Sequence, residues 1–405
     1  MNESVATDAA DRPGRWPEVL AVFLRLGLTS FGGPVAHLGY FREAFVVRRR
    51  WLSEGAYAEL VTLCQFLPGP ASSQVGFAIG LLRAGPLGAL AAWIGFTLPS
   101  AILLTAFAFG AQAMAGPLGH GLLHGLKLVA VAIVAQAVFG MARTLTPDAR
   151  RAGIALAAII LVTLASATVG QVAAIAMGAV AGLLLCRGGP PPAGDALVLN
   201  LSPALGVAAL ALFLTILIGG PLIVVVTGSP ALAHFDAFYR SGALVFGGGH
   251  VVLPLLNEAV VTPGWVTPDQ FLAGYGAAQA APGPLFTFAA YLGAVMNPEN
   301  GVAGALLALA AIFLPGLLAL LAALPFWNQL RTRPAAQAAM RGANAAVVGI
   351  LAAALYDPVW KGAVHDGVDV AIVLAGVVGL IAVRVPPVAI VAAGACFGLA
   401  RVALG

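Results

Sequence analysis

The sequence predicts an all-α polytopic membrane protein in which two homologous halves form an inverted repeat. Hydrophobic residues make up 60% of the 405 residues and charged residues only 9%, whereas a soluble domain carries about 25% charged residues. The mean hydropathy is +0.98. Uncharged runs long enough to cross a bilayer recur along the chain, so we expect roughly 10–13 membrane segments, including broken or re-entrant hairpins.

The repeat is visible in short motifs that contain glycine and proline. Three landmarks recur in the same order, 214 to 216 positions later: Phe31-Gly32-Gly33 as Phe246-Gly247-Gly248, Pro68-Gly69-Pro70 as Pro282-Gly283-Pro284, and Phe96-Thr97-Leu98-Pro99 as Ile312-Phe313-Leu314-Pro315. Three landmarks with a nearly constant offset indicate an internal duplication. Glycine and proline interrupt helices, and interrupted apolar helices in matched halves are typical of membrane transport proteins.

The chain divides into four parts in order. Residues 1–17 are polar and lack the apolar core of a signal peptide, so they predict a soluble tail. Residues 18–187 form the first repeat, 188–232 a linker with an extra membrane helix, and 233–405 the second repeat. The extra apolar stretch has no first-half partner and supplies the pass that inverts the second half. The three cysteines are far apart in the sequence, so we expect them to be small buried residues and not disulfide partners or metal ligands: Cys64, Cys186 and Cys396.

Arginine clusters predict the orientation of the halves, because positive loops face the cytoplasm. Three apolar stretches separate the cluster at 48–50 from that at 143–151, and an odd number of crossings would put them on opposite sides. If the stretch containing Pro68-Gly69-Pro70 is re-entrant, the number of crossings between the two clusters is even and both face the cytoplasm. The alternative is roughly 13 full spans, with one cluster breaking the rule. The sequence contains no basic stretch interleaved with aromatic residues, so it does not indicate a nucleic-acid partner.

Two arginines are the first candidates for a substrate site. Arg25 and Arg240 each precede a Phe-Gly-Gly motif by six residues. An arginine in an apolar segment is costly, and its guanidinium presents a fork of donors suited to an oxyanion. The glycine pairs predict a cradle of backbone N–H groups: Gly32, Gly33, Gly247 and Gly248. The alternatives are arginines at helix ends that reach the interface, and glycines that let helices pack closely.

Other polar residues at matched positions extend this prediction. Gln65 and Gln279 are candidate ligands, as is Asn344 in an apolar run. Glu43, Glu258 and His37 are candidates for proton coupling, with a solvated hairpin end as the alternative for the two glutamates. His120 and His124 have helical metal-ligand spacing, but no third ligand joins them in the sequence, so we expect neither a metal site nor a cofactor.

These motifs together identify a family resemblance. The stretches FLRLGLTSFGGPVAHLGYF, QFLPGP, FGGGHVVLPLL, QAAPGP and GANAAVVGILAAALYDPVW resemble the chromate ion transporter family in its long, two-domain form, over about residues 18 to 400. The resemblance implies a multi-pass protein of the inner (plasma) membrane that exports chromate and confers chromate resistance, with sulfate as a competitor. Its functional residues carry over onto Arg25, Gly32-Gly33 and Pro68-Gly69-Pro70, with Arg240, Gly247, Gly248 and Pro282-Gly283-Pro284 as their repeats.

The sequence therefore predicts a secondary transporter, not an enzyme. No phosphate-binding loop of the GxxxxGK[ST] type occurs, which leaves the membrane potential or a proton gradient as the driving force. The expected partners are a chromate- or sulfate-like oxyanion and the lipid bilayer, with a homodimer left open. The alternatives are a transporter or channel for sulfate or another small anion, and, less favoured, an intramembrane enzyme.

Overall fold

A computed structural model describes residues 14–113, 116–165, 167–188, 201–246, 249–330 and 333–404. Helices account for nearly all of these residues, and no strand occurs within them. This confirms the predicted all-α class.

Seven helices form the first half. They are α1 (Trp16–Thr29), α2 (Gly33–Phe41, continued by a π-helical turn Arg42–Arg48), α3 (Glu54–Phe66), α4 (Ala71–Ala113), α5 (Pro117–Leu145), α6 (Ala149–Leu164) and α7 (Ala167–Leu185). Side-chain caps start two of them, because Ser53 and Asp148 accept hydrogen bonds from backbone N–H groups in the first turns of α3 and α6. Helix α4 bends at Ala84 and Gly85, directly before Pro86.

The second half repeats this order after one extra helix. The elements are α8 (Pro203–Thr227), α9 (Pro230–Ala243), α10 (Val252–Leu256, between a 3-10 turn Gly249–Val251 and a π-helical turn Asn257–Val261), α11 (Pro268–Ala278), α12 (Phe288–Met296), α13 (Gly301–Ala323), α14 (Trp327–Leu330), α15 (Pro334–Ala354), α16 (Lys361–Ala363), α17 (Gly367–Val378, extended by Gly379–Val383) and α18 (Pro387–Leu404). Helices α12 and α13 correspond to the two arms of the bent α4.

The first four helices form two hairpins that each return to the end where they began. The N–H of Gly14, before α1, donates to the carbonyl of Arg83 at 3.0 Å, and the Arg83 guanidinium lies 5.1 Å from the ring centre of Trp51, after α2. The α1–α2 hairpin therefore starts and finishes beside Arg83. Because Arg83 lies at the bend of α4, the hairpin of α3 and the first arm of α4 returns there too.

Equivalent helices of the two halves run in opposite directions. Arg341, near the start of α15, donates to the carbonyl of Cys186 at the end of α7, and α7 ends beside the start of α6, where Arg150 donates to the carbonyl of Leu185. Helix α5 finishes at this same end, only three residues before α6 begins. Its own first turns lie at the opposite end, where His124 pairs with Asp369 at 2.8 Å. The halves are therefore inverted.

This arrangement defines two ends of the molecule. The arginine-rich end carries Arg150, Arg187 and Arg341, and the acidic end carries Asp269, Asp366 and Asp369. Arg83 belongs to the arginine-rich end, because the second arm of α4 runs from the bend beside Arg83 to the start of α5 at the acidic end. The halves also exchange helices: α6 and α7 pack on α15 of the second half, and α17 and α18 pack on α5 of the first. Gly125 and Gly342 make these crossings possible, because a Cβ on either would overlap backbone of the partner helix.

Within the part of the chain that the structure describes, five helices are long and apolar enough to cross a membrane: 71–111, 117–145, 203–227, 301–326 and 334–363. Shorter apolar helices, including 367–383 and 387–403, accompany them. Helix α8 has the highest mean hydropathy of the five, at 2.7, and is almost wholly exposed. Its aliphatic side chains, such as Val225 at 80% exposure, would face lipid.

Candidate functional site

The two Pro-Gly-Pro turns connect the halves at the centre of the molecule. Gly69 has a φ of +115°, and its N–H donates to the carbonyl of Val245 at 2.8 Å. Gly283 has a φ of +93°, and its N–H donates to the carbonyl of Ser30 at 2.9 Å. Val245 and Ser30 are the residues directly before the two Phe-Gly-Gly motifs. Each turn therefore holds the helix break of the opposite half.

Both turns leave no room for a side chain at their glycine. A Cβ on Gly69 would come within 2.8 Å of the Cα of Gly316, and one on Gly283 within 2.9 Å of the hydroxyl of Ser100. The amide of Gln74 also donates to the carbonyls of Pro68 and Gly316, at 2.9 and 2.8 Å. The turns are thus positioned by helix α13 and the second arm of α4, and they bring the four helix breaks together.

A cavity of about 300 Å³ lies beside these breaks and is lined by both halves. The first half contributes Gly32 and Gly33 from the break before α2, and Ile133 and Gln136 from α5. The second half contributes His250, Gln279, Leu380 and the turn Arg384–Pro387 that joins α17 to α18. Gln136 lies nine residues before the end of α5, which is about 14 Å at helical rise. The cavity is therefore on the arginine-rich side of the middle of α5.

The polar groups around this cavity include several hydrogen-bond donors. Helix α2 begins at Gly33, and its N-cap residue, Gly32, provides no side-chain cap, so the first N–H groups have no helical acceptor. The positive end of the helix dipole favours an anion there. The Nε2 of Gln279 is buried and has no hydrogen-bond partner. Among the described residues that line the cavity none is Asp or Glu.

His250 contributes an imidazole, which can donate or accept a hydrogen bond, to the same wall. Its Nδ1 lies 2.7 Å from the hydroxyl of Tyr275, which is fully buried on α11. This contact orients the imidazole at the cavity wall. Arginine, histidine, amide and helix N-terminus together make a site suited to a small anion.

Arg25 and Arg240 are not among the residues that line this cavity. Arg25 is exposed on α1, and Arg240 is half-buried on α9, where its Nη1 donates to the carbonyl of Leu217 on α8 at 3.3 Å. The two arginines occupy equivalent positions in the repeat, but neither lines the shared cavity in the structure. Their role in anion binding stays a prediction.

The remaining predicted ligands are distributed around the site. Gln65 is exposed at the end of α3, and Asn344 is half-buried on α15 with a buried Oδ1 that has no partner. Gly247 and Gly248 lie outside the described residues. Of the predicted ligand residues, the structure therefore brings Gly32, Gly33 and Gln279 together at one cavity.

The candidates for proton coupling occupy different environments. Glu43 pairs with Arg48 at 2.8 Å at an exposed hairpin end, and Glu258 accepts from the hydroxyl of Thr262 at 2.9 Å. His37 is wholly buried; its Nδ1 lies 3.4 Å from the hydroxyl of Ser72, and its Nε2 has no partner.

His124, one of the pair with metal-ligand spacing, belongs to an ionic cluster at the acidic end. Its Nε2 lies 2.8 Å from Asp369, whose side chain is fully buried and also accepts from Arg401 at 2.7 Å. Arg401 pairs with Asp366 as well. The backbone N–H of Asp369 and the Arg401 guanidinium hold the pKa of Asp366 below its ordinary value. The cluster joins α5 of the first half to α17 and α18 of the second.

Three polar residues in the described lining of the cavity were missed from the sequence: Gln136, His250 and Arg384. Each is an isolated polar residue in or beside an apolar run, which is itself a signal of function in a membrane protein. Gln136 interrupts the apolar part of α5, His250 directly follows the second glycine motif, and Arg384 stands alone between two apolar helices. None has an equivalent of the same type in the other half, so a search based on the repeat overlooks them.

Comparison with known proteins identifies the family. The chromate transporter family model matches residues 17–183 and 232–399, one match for each half. The chain is 29% identical over 361 residues to the chromate transport protein of Pseudomonas aeruginosa, covering 87% of this chain and 83% of that protein. It is 28% identical over 338 residues to the probable chromate transport protein of Synechococcus elongatus, covering 82% of each.

A third relative, the chromate transport protein of Cupriavidus metallidurans, is 26% identical over 345 residues, covering 84% of this chain and 81% of that protein. No solved structure matches the chain significantly. The two matched halves, the inverted helices and the apolar spans confirm a polytopic membrane protein built from two repeats, and the chain belongs to the chromate transporter family.

Proposed function

We propose that this protein exports chromate from the cytoplasm across the inner membrane as a secondary transporter. Its relatives are chromate transport proteins, and the observation that supports the proposal best is the cavity shared by both halves. It combines donors with the positive end of α2 and contains no carboxylate among its described lining residues. A tetrahedral dianion such as chromate or sulfate matches this donor set.

The distribution of arginines supports the direction of transport. If the arginine-rich end faces the cytoplasm, the cavity lies on the cytoplasmic side of the membrane centre, where a substrate for export would enter. A negative cytoplasm then drives a dianion outward, with about 4.6 kcal/mol per 100 mV for two charges. Proton coupling through Glu43, Glu258 or His37 is the alternative driving force, and a homodimer stays a prediction.

Flux in proteoliposomes tests this proposal. The purified protein is reconstituted, the membrane potential and the pH gradient are set separately, and uptake of radiolabelled chromate is followed against protein-free liposomes. We expect saturable uptake that responds to the potential, competes with sulfate and is stimulated by sulfate on the opposite side. Uptake that rises linearly with concentration and shows no such stimulation would indicate a channel, and no uptake above protein-free liposomes would refute the proposal.

A further inference from the structure

Arg384 occupies an unusual backbone position in the turn between the two last helices. Its φ and ψ are 62° and 37°, in the left-handed region that residues with a side chain rarely adopt. The N–H of Val385 donates to the carbonyl of Gly379 at 2.9 Å, and Pro386 and Pro387 follow directly. A closed turn followed by two prolines restricts the backbone at Arg384, which is the left-handed C-cap residue of the helical turn Gly379–Val383.

Arg384 is exposed at this turn, and its guanidinium forms no hydrogen bond or ion pair within the described ranges, whereas other cations of the inner helices have partners there. Lys127 pairs with Asp269 at 2.8 Å, and Arg341 donates twice to the carbonyl of Cys186. Arg384 instead lines a cavity in which two other donors have no acceptor, the Nε2 of Gln279 and the N-terminus of α2. These unused donors converge on one space.

We infer that Arg384 supplies the fixed positive charge that holds a tetrahedral oxyanion dianion in this cavity. The inference rests on the proposed function and deepens it. The guanidinium fork and the amide of Gln279 approach the anion from the second half, and the N–H groups of α2 approach it from the first half. A bound dianion would therefore contact both halves at the helix break before α2.

We also expect the anion site to differ between the two halves of the repeat. The first-half turn that corresponds to Arg384 joins α6 to α7, and the stretch from Leu161 to Gly170 contains no charged residue. An inverted repeat would offer a second, mirror-related position for the anion, but that position lacks this arginine. The strong binding position is then on the arginine-rich side alone.

Binding measurements on the purified protein test the inference separately from transport. Isothermal titration with sulfate and with chromate is compared for the wild type, Arg384→Gln and Arg384→Lys. The matched control is Arg143→Gln, an exposed arginine near the arginine-rich end whose guanidinium packs over Phe139 at 5.6 Å. We expect Arg384→Gln to lower the binding affinity for both anions about tenfold or more. Arg384→Lys is expected to lower the affinity less, because lysine keeps the charge but loses the guanidinium fork. The control is expected to bind both anions as the wild type does.

A second variant keeps Arg384 and covers the case in which its substitution prevents folding. Val385→Cys, in a background with the native cysteines replaced by alanine, is labelled with an impermeant thiol reagent in inverted vesicles, with and without sulfate. Protection by sulfate supports the inference. Equal labelling at saturating sulfate overturns it, as does an unchanged affinity in Arg384→Gln while the wild type transports chromate. If the wild type binds neither anion, the proposed function and the inference fail together.

Discussion

The backbone N–H of Gly69 in the first half donates to the carbonyl oxygen of Val245 in the second half at 2.8 Å. The symmetric bond, from Gly283 to Ser30, is 2.9 Å long. Each bond links the Pro-Gly-Pro turn of one half to the helix break of the other. The two bonds explain why the motifs occur as a pair in each half: neither break has its full set of partners without the opposite turn.

Alanine at Gly69 or Gly283 is expected to destabilise the protein and to reduce transport strongly. Both glycines have positive φ angles, and a Cβ would overlap Gly316 or Ser100. The backbone strain alone costs about 1–3 kcal/mol. Thermal unfolding in detergent and chromate flux measure the two effects. Gly110→Ala is the control, because a Cβ at that helical position meets nothing within 4 Å; equal loss of stability in all three variants would contradict the role of the turns.

The substitution Asp369→Asn is expected to destabilise the protein by about 3 kcal/mol, because it leaves His124 and Arg401 without their buried carboxylate. Glu54→Gln breaks an exposed pair with Arg42 and is expected to change stability by about 0.5 kcal/mol or less. Thermal or denaturant unfolding compares the two. A loss for Asp369→Asn no larger than that of the control would show that the cluster does not hold the exchanged helices.

Opposite accessibility of matched loops tests the inverted arrangement. Val47 and Thr262 are exposed near the ends of equivalent hairpins, and each is replaced by cysteine in a background lacking Cys64, Cys186 and Cys396. We expect an impermeant thiol reagent to label Val47→Cys in inverted vesicles and Thr262→Cys in right-side-out vesicles. Labelling of both positions from the same side would rule out the inversion.

Arg25→Ala and Arg240→Ala are predicted to abolish uptake into inverted vesicles while expression stays intact. Because neither arginine lines the cavity, we expect sulfate affinity in detergent to stay within about twofold of the wild type. Loss of flux with retained binding would place the pair elsewhere on the translocation path. Undiminished flux in both variants would remove them from the mechanism.

The hairpins and the inversion could be predicted because their causes are local in sequence. Glycine and proline interrupt helices in an apolar run. The loop with Arg48 in the first half is basic and the corresponding loop with Glu258 in the second half is acidic, which indicates the side of the membrane that each loop faces. The exchange of α6–α7 and α17–α18 between halves could not be predicted, since it depends on how small residues such as Gly125 and Gly342 match across helices that are distant in sequence.

The site was harder to predict for a different reason. Arg25 and Arg240 are equivalent in the repeat, and that symmetry suggested a shared role, but burial depends on packing and their side chains lie outside the cavity. Arg384 breaks the symmetry. A lone arginine between two apolar helices has the pattern of a residue that reaches the interface, and its place in the lining of the cavity distinguishes it.

We propose that the cavity shared by the two inverted halves carries a dianion out of the cytoplasm. Uptake of radiolabelled chromate into inverted membrane vesicles, with a potential positive inside the vesicle, measures this most directly. We expect saturable uptake that excess sulfate suppresses and that falls when the potential is collapsed. Uptake identical to that of vesicles without the protein, at every potential and pH gradient, would contradict it.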